Sequence, residues 1–329
     1  THSLANIGGE TDCASRSVAD VHAGHTDAAS PRRQGVMYTD RVAALARGST
    51  PSDSPPSTTR GSTMLEVRGA RADEVDAAIE CAGRAFGRDD PERVRGVTDF
   101  FSRIHKLDPY FRPDNTRIAV VDGVVASVVQ VFDRQALVQG VPVPLGGIGS
   151  VGTDPTYRRQ GLSNKVLADT ARYMTQRGIV LSSLGTGIHD HYGKVGWQRF
   201  DHHAYLDIGA PEPLPEAPAG VTIRQMDWDG DRAAVARIHE QFSRGVSGCL
   251  HRPDELWEAT PRWRSVAPTQ RFVALVGDEI VAYRQDGGRD NDKIDEIGHA
   301  EGYAEAAHAL ILDALSAATG DGATRLRMD

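Results

Sequence analysis

Cysteine is scarce in this chain, with Cys13, Cys81 and Cys249 the three among 329 residues. Scattered and odd in number, they compose neither a metal-binding motif nor a disulfide framework, so a reducing, cytoplasmic setting is expected. Long apolar runs are missing too, and none approaches the ~18 residues of a membrane-spanning helix. The opening residues do not read as a charged-then-apolar leader. Positive charge is in deficit, with 37 Lys and Arg against 45 Asp and Glu and a net charge of −8. That balance argues against a general nucleic-acid binder and mildly favours a cationic partner. A chain 40% hydrophobic and 25% charged is globular and long enough for two domains.

Residues 1–63 lack any sustained apolar period. They hold 17 Ser or Thr and a Pro-Ser-Asp-Ser-Pro-Pro stretch at 51–56, a composition that buries too little apolar surface to offset ordering entropy. This segment is expected to be disordered or extraneous, with Val36 to Leu45 the one stretch that competes as a helical or strand turn. Organised sequence starts at Met64.

The most informative stretch is Val151-Gly-Thr-Asp-Pro-Thr-Tyr-Arg-Arg-Gln-Gly-Leu-Ser163. An apolar run, Ile148 to Val151, gives way to a polar turn, two arginines and a glycine. A helical apolar pattern at Leu162, Val166, Leu167 and Met174 follows, and closes at Arg177-Gly178. Strand, glycine-bearing basic loop and helix N-terminus in that order make an anion cradle. First-turn N–H groups lack intrahelical partners, Gly161 leaves the backbone approachable, and Arg158 and Arg159 add charge. Ile179 to Leu184 reads as the next strand, followed by His191-Tyr-Gly-Lys-Val-Gly-Trp197.

The spacing Arg158-x-x-Gly161-x-Ser163 resembles the acyl-CoA loop of the GCN5-related N-acetyltransferases (GNAT), Arg/Gln-x-x-Gly-x-Gly/Ala, with Ser163 a small departure. About thirty residues on, Tyr192, Gly196 and Trp197 fit that family's aromatic-Tyr-x-x-x-Gly-Phe segment, with His191 in place of the commoner aromatic. The two motifs in this order are far more specific than either alone. The resemblance implies an α+β fold with a mixed, mostly antiparallel sheet flanked by helices. It implies acetyl-CoA as co-substrate and direct acetyl transfer to a primary amine. Ser150, Val151, Gly152, Arg158, Arg159, Gln160, Gly161, Leu162 and Ser163 would bind the cofactor. Tyr192 would serve as general acid, or else as a packed aromatic with a satisfied hydroxyl. His189, Asp190 and His191 are open candidates for relaying the amine proton, beside the plainer reading of a solvated loop, and no metal site is expected. His202-His203 reads as structural, nothing ranks Asp133 as a site residue, and Trp228, Trp257 and Trp263 read as core, with cleft-lining the alternative.

From Met64 the elements follow in order. Leu65 to Arg68 is a predicted strand and Ala72 to Phe86 a helix with Val75, Ile79 and Ala82 on one face. Arg117–Val121 and Val124–Val131 are predicted strands joined by Asp122-Gly123, and Gln139-Gly140 turns a second hairpin. This pattern repeats. Arg117-Ile-Ala-Val-Val-Asp-Gly-Val-Val-Ala is echoed from Arg271, and Leu65-Glu-Val-Arg68 from Val221-Thr-Ile-Arg224 with a helix from Arg232 to Phe242. Two tandem domains are expected, at 64–208 and 220–329, joined by a proline-rich linker at 209–219.

The second copy reads Ile297-Gly-His-Ala-Glu-Gly-Tyr-Ala-Glu305 at the loop position, without Arg or Lys and with two glutamates that would repel pyrophosphate. An active copy followed by a degenerate one resembles the enhanced-intracellular-survival-type acetyltransferases. Those usually continue into a third, sterol-carrier-like domain whose terminal carboxylate assists catalysis. The chain stops at Asp329, after Arg325-Leu-Arg, a possible strand, so truncation is an expectation here. The resemblance allows a homo-oligomer and a cationic small molecule or lysine side chain as acceptor. The alternatives are a non-catalytic CoA-binding or regulatory module, and transfer of another acyl group.

Overall fold

The computed structural model describes residues 34–38, 64–199, 206–263, 270–287 and 292–328. Among these the chain divides into two compact units, one of 34–134 and 143–199, the other of 135–142 and 206–328.

In the first unit, strands run in the order β2 (Leu65–Gly69), β3 (Thr116–Val121), β4 (Val124–Val138), β5 (Val141–Thr153), β6 (Leu181–Thr186), β1 (Gln34–Tyr38), β7 (Trp197–Arg199). Asp122 and Gly123, at φ 49° and 82°, turn β3 into β4, and Gln139 and Gly140, at 51° and 77°, turn β4 into β5. Positive φ at both central residues is the twist-matched hairpin geometry that these dipeptides favour. β4 is seven residues longer than its apolar pattern suggested, and the hairpin tip at 135–142 clusters with the second unit.

Helix α1 (Val75–Gly87) buries Val75, Ile79 and Ala82 as its spacing predicts. Helix α2 (Pro91–Lys106) begins at Asp90, whose carboxylate accepts from the Glu92 and Arg93 amides at 3.0 and 3.2 Å. The two helices pack through Gly83 and Gly87, where a Cβ would collide with Thr98 and Val94. Helix α3 (Leu162–Gln176) lays Leu162, Val166, Leu167 and Met174 into a core shared with Ala119, Val129, Ile148 and Leu184. Gly178, at φ 73°, follows its end.

Strand β1 overlaps the one stretch of residues 1–63, Val36 to Leu45, that competed as a helical or strand turn. It pairs antiparallel with β6, Val36 opposite Leu184, and with β7, Val36 opposite Arg199. A partner some 150 residues away supplied the order that local composition could not. The rest of 1–63, His202 and His203 lie outside the described residues.

The second unit repeats the plan. Its sheet runs β8 (Leu206–Gly209), β14 (Arg325–Met328), β13 (Lys293–His299), β12 (Glu279–Asp286), β11 (Arg271–Val276), β9 (Val221–Gln225). The sequence β9-β11-β12-β13 then β14 matches β2-β3-β4-β5 then β6, and in both copies the last step is the parallel one. Helix α5 (Trp228–Ser243) follows β9, and α7 (Ala304–Gly320) follows β13 as α3 follows β5. Each unit is α+β, with a mostly antiparallel sheet flanked by helices. Trp257, on helix α6 (Asp254–Trp263), is a core residue, 5% exposed. Cys81 is a buried free thiol, whereas Cys249 is disulfide-bonded, against the expectation of reduced cysteines. Among the described residues no helix is long and apolar enough to cross a membrane.

Candidate functional site

β5 and β6 are hydrogen-bonded in parallel at Leu145–Leu181, Gly146–Ser182 and Gly147–Ser183. Both strands continue, to Thr153 and Thr186, but their mutual pairing stops there. Beyond Gly147 the two strands have separated. Ser150 sits in the separated stretch of β5 with φ 51°, a left-handed conformation that breaks a regular ladder.

The basic loop is pinned at its base. Asp154 caps the turn Pro155–Tyr157 by accepting from the Thr156 amide at 2.9 Å, and it bonds Arg84 of α1 at 2.6 Å. Burial alone would raise the Asp154 pKa, but Arg84 and the Thr156 bonds outweigh it and hold the carboxyl below its ordinary value. Arg158 is exposed and reaches back to the Ala85 carbonyl at 3.1 Å, at the carbonyl end of α1. Arg159, at φ 65°, and Gln160 are exposed, and Arg159 makes no hydrogen bond or ion pair among the described residues.

Gly161, at φ 72°, starts α3 and has nothing within 4 Å of where a Cβ would stand. No side chain caps α3 and no acidic residue lies in its first turn. Its leading N–H groups therefore keep their hydrogen-bonding capacity, with the positive end of the helix dipole behind them. Leu162 is 4% exposed and anchors this helix start in the core. Ser163 turns its hydroxyl to His191 Nε2 at 2.9 Å.

The remaining expected residues divide by role. Val151 is half-buried against the core. Gly152 is buried, and a Cβ there would meet the Ala85 Cβ at 2.8 Å, so helix packing demands this glycine. Its carbonyl accepts from the Ser127 hydroxyl at 2.9 Å. Ser150, 2% exposed, bonds its hydroxyl to His105 Nε2 at 2.8 Å. His105 on α2 was not singled out in the sequence, because a lone histidine carries no spacing signal.

Tyr192 lies in α4 (His189–Gly193), a short helix where a solvated loop was the plainer expectation. It is 7% exposed, with its ring edge-on to Trp197 at 6.4 Å and to His191 at 5.2 Å. Burial pushes the phenol up to about 12, against the opposing hydrogen bond with Thr186. Tyr192 therefore stays protonated at any physiological pH. Burial, then the nearby Lys194 charge, pushes His191 below the ordinary histidine value, so its imidazole is neutral at pH 7. Asp133 stands 3.7 Å from Arg177 in an ordinary ion pair. Among the described residues no three His, Cys, Asp or Glu side chains stand together as a metal set.

The corresponding place in the second unit is built differently. Gly302, at φ 85°, keeps the turn before α7, but Glu301 is exposed and Glu305 occupies the first turn. From Ile297 to Glu305 there is no Arg or Lys.

The family described as acetyltransferase (GNAT) domain matches residues 66–200. Over these residues the chain is similar to a GNAT acetyltransferase domain. An uncharacterised N-acetyltransferase of Streptomyces avermitilis is 26% identical over 200 residues, 59% of this chain and 46% of its own length. The N-acetyltransferase Eis of Mycobacterium tuberculosis is 25% identical over 218 residues, 62% of this chain and 54% of its own. The chain thus spans about half the length of these curated relatives. A solved GCN5-related N-acetyltransferase from Anabaena variabilis superposes with a TM-score of 0.62 at 14% identity, covering 80% of this chain and 65% of that one. At that identity the likeness is one of fold. The separated strands, basic loop and Tyr192 all fall within the GNAT match.

Proposed function

We propose that the protein transfers an acetyl group directly from acetyl-CoA to a primary amine, with the first domain carrying the chemistry. One observation carries this reading. The gap between β5 and β6 leads into a cationic loop that ends at an uncapped helix with a left-handed glycine at its head. A pyrophosphate fits that loop. The N–H groups at Gly161, Leu162 and Ser163 and the charges of Arg158 and Arg159 supply hydrogen bonds and field, while Gln160 adds a polar edge.

In this reading the pantetheine arm follows β5, bonding main-chain groups at Ser150, Val151 and Gly152. The neutral amine attacks the thioester carbonyl carbon, forming the C–N bond and an oxyanion that main-chain N–H groups of β5 stabilise. Collapse breaks the C–S bond, and the departing thiolate takes the proton of the Tyr192 phenol. The bound ammonium gives one proton to solvent, through water relayed past neutral His191, before it attacks; the nitrogen of the tetrahedral intermediate gives up a second the same way, and solvent returns a proton to Tyr192. The acceptor is a cationic amine, a small polyamine-like molecule or a lysine side chain, as the −8 net charge favours.

The test is free-thiol release from acetyl-CoA with a panel of diamines, polyamines, aminoglycosides and lysine peptides. Thiol release that needs an amine supports the reading. Acetyl-CoA binding without release across the panel would make the protein a CoA-binding module instead. Release only from a longer acyl-CoA would change the donor.

A further inference from the structure

We infer that His105 is a positioning residue that locks Ser150 into its left-handed turn and so holds β5 in the shape that receives the acyl-CoA arm. The inference rests on the acetyl-CoA reading above.

Two locally unfavourable choices meet at one hydrogen bond. A non-glycine residue at φ 51° within a strand is unfavourable and persists only where its surroundings fix it. Glycine would relieve that cost, yet the residue is serine, and its hydroxyl is bonded to His105 at 2.8 Å. His105 is fully buried, with its Nδ1 lacking any hydrogen-bond partner. Its ring lies nearly parallel to Phe101 at 5.9 Å and to Phe111 at 6.4 Å, and edge-on to Phe132 at 5.7 Å. A phenylalanine would fill that aromatic slot without an orphaned nitrogen. What histidine adds is the bond to Ser150.

Burial pushes His105 down to about 3, so the ring is neutral at working pH, the bond to Ser150 is not lost by titration and the ring is no proton shuttle. Its location is the other half of the argument. Ser150 lies three residues beyond Gly147, the last residue of β5 paired to β6. Departures from local rules that coincide at a site are those expected to serve function.

Acetyl-CoA affinity of the full chain, measured by calorimetry with thermal unfolding as a folding control, tests this. His105→Phe keeps the aromatic packing and should weaken acetyl-CoA binding about tenfold, the size of one lost buried hydrogen bond. His105→Gln, which returns a donor, should recover most of that. Ser150→Gly adopts φ 51° freely and removes the bonded hydroxyl, so adding His105→Phe to it should change its acetyl-CoA affinity little. Ser150→Ala keeps the strain without the bond and should mimic His105→Phe, which serves if the latter folds poorly. Wild-type affinity in both Ser150→Ala and His105→Phe, or the same loss from His105→Phe in the Ser150→Gly background, would overturn the role of His105. A wild-type protein that binds no acetyl-CoA would instead overturn the functional reading, and this role with it.

Discussion

Ser163 Oγ lies 2.9 Å from His191 Nε2, tying the first turn of α3 to the segment that carries Tyr192. The cradle helix and the candidate acid thus share a direct link besides their common core. Tyr192→Phe removes the phenol while keeping the ring packed on Trp197. It should lower turnover by about 10²-fold, within the range of one general acid, and leave acetyl-CoA affinity within about threefold. Steady-state thiol release beside calorimetric binding reads both. Equal turnover would return Tyr192 to a packing role.

Arg158 is anchored by the Ala85 carbonyl and otherwise exposed. Arg158→Glu puts a carboxylate where the pyrophosphate is proposed to lie. Affinity for acetyl-CoA should fall about 10- to 100-fold, the size of one charge-assisted contact. The wild-type affinity should weaken with salt more steeply than the variant's. Unchanged affinity would mean that the loop is not the phosphate site.

Gly161→Ala meets no steric obstacle, since nothing lies within 4 Å of the added Cβ, but φ 72° is unfavourable for alanine. The variant should lose about 1 kcal/mol of stability in urea unfolding. Gly185→Ala, equally open and without a positive φ, is the matched control and should be near neutral. Equal effects at the two positions would show that the left-handed turn is not what Gly161 supplies.

Burial pushes His105 in the first unit and His239 in the second down to about 3. Folded values below the unfolded ~6.5 mean that the unfolded chain binds more protons in this window. The stabilisation is full above pH 6.5 and is lost as pH falls toward 3. Each histidine should cost roughly 2 kcal/mol between pH 7 and pH 5. Tyr192 works at the other end, with a folded value above the unfolded ~10, so its contribution is full below pH 10 and lost as pH rises toward 12. Urea unfolding across pH reads all three. His105→Phe should flatten the acid limb, and an unchanged limb would contradict the buried neutral ring.

Much of the site was legible because its parts are contiguous. The loop from Val151 to Ser163, the apolar stripe of α3 and the hairpin dipeptides are local signals, and each lies where its sequence placed it. Helix α2 was overlooked although Asp90-Pro91 is a cap followed by proline at the first helical position, a readable start. His105 could not be found that way. Its meaning comes from Ser150, 45 residues on, and from rings at Phe101, Phe111 and Phe132 that only the fold assembles. Strand β1 was legible only as a competing turn at Val36 to Leu45, since its pairing depends on Leu184 and Arg199. Gly152 was legible only as a main-chain position of β5; that its missing Cβ also makes room for Ala85 needed the fold.

Two related units share one chain, and the basic loop with its uncapped helix start is found in the first. Calorimetric titration of the full chain with acetyl-CoA tests it most directly. The account predicts one site per chain in wild type, strongly weakened by Arg158→Glu with no second site revealed. Two sites per chain, or a single site indifferent to Arg158→Glu, would contradict it.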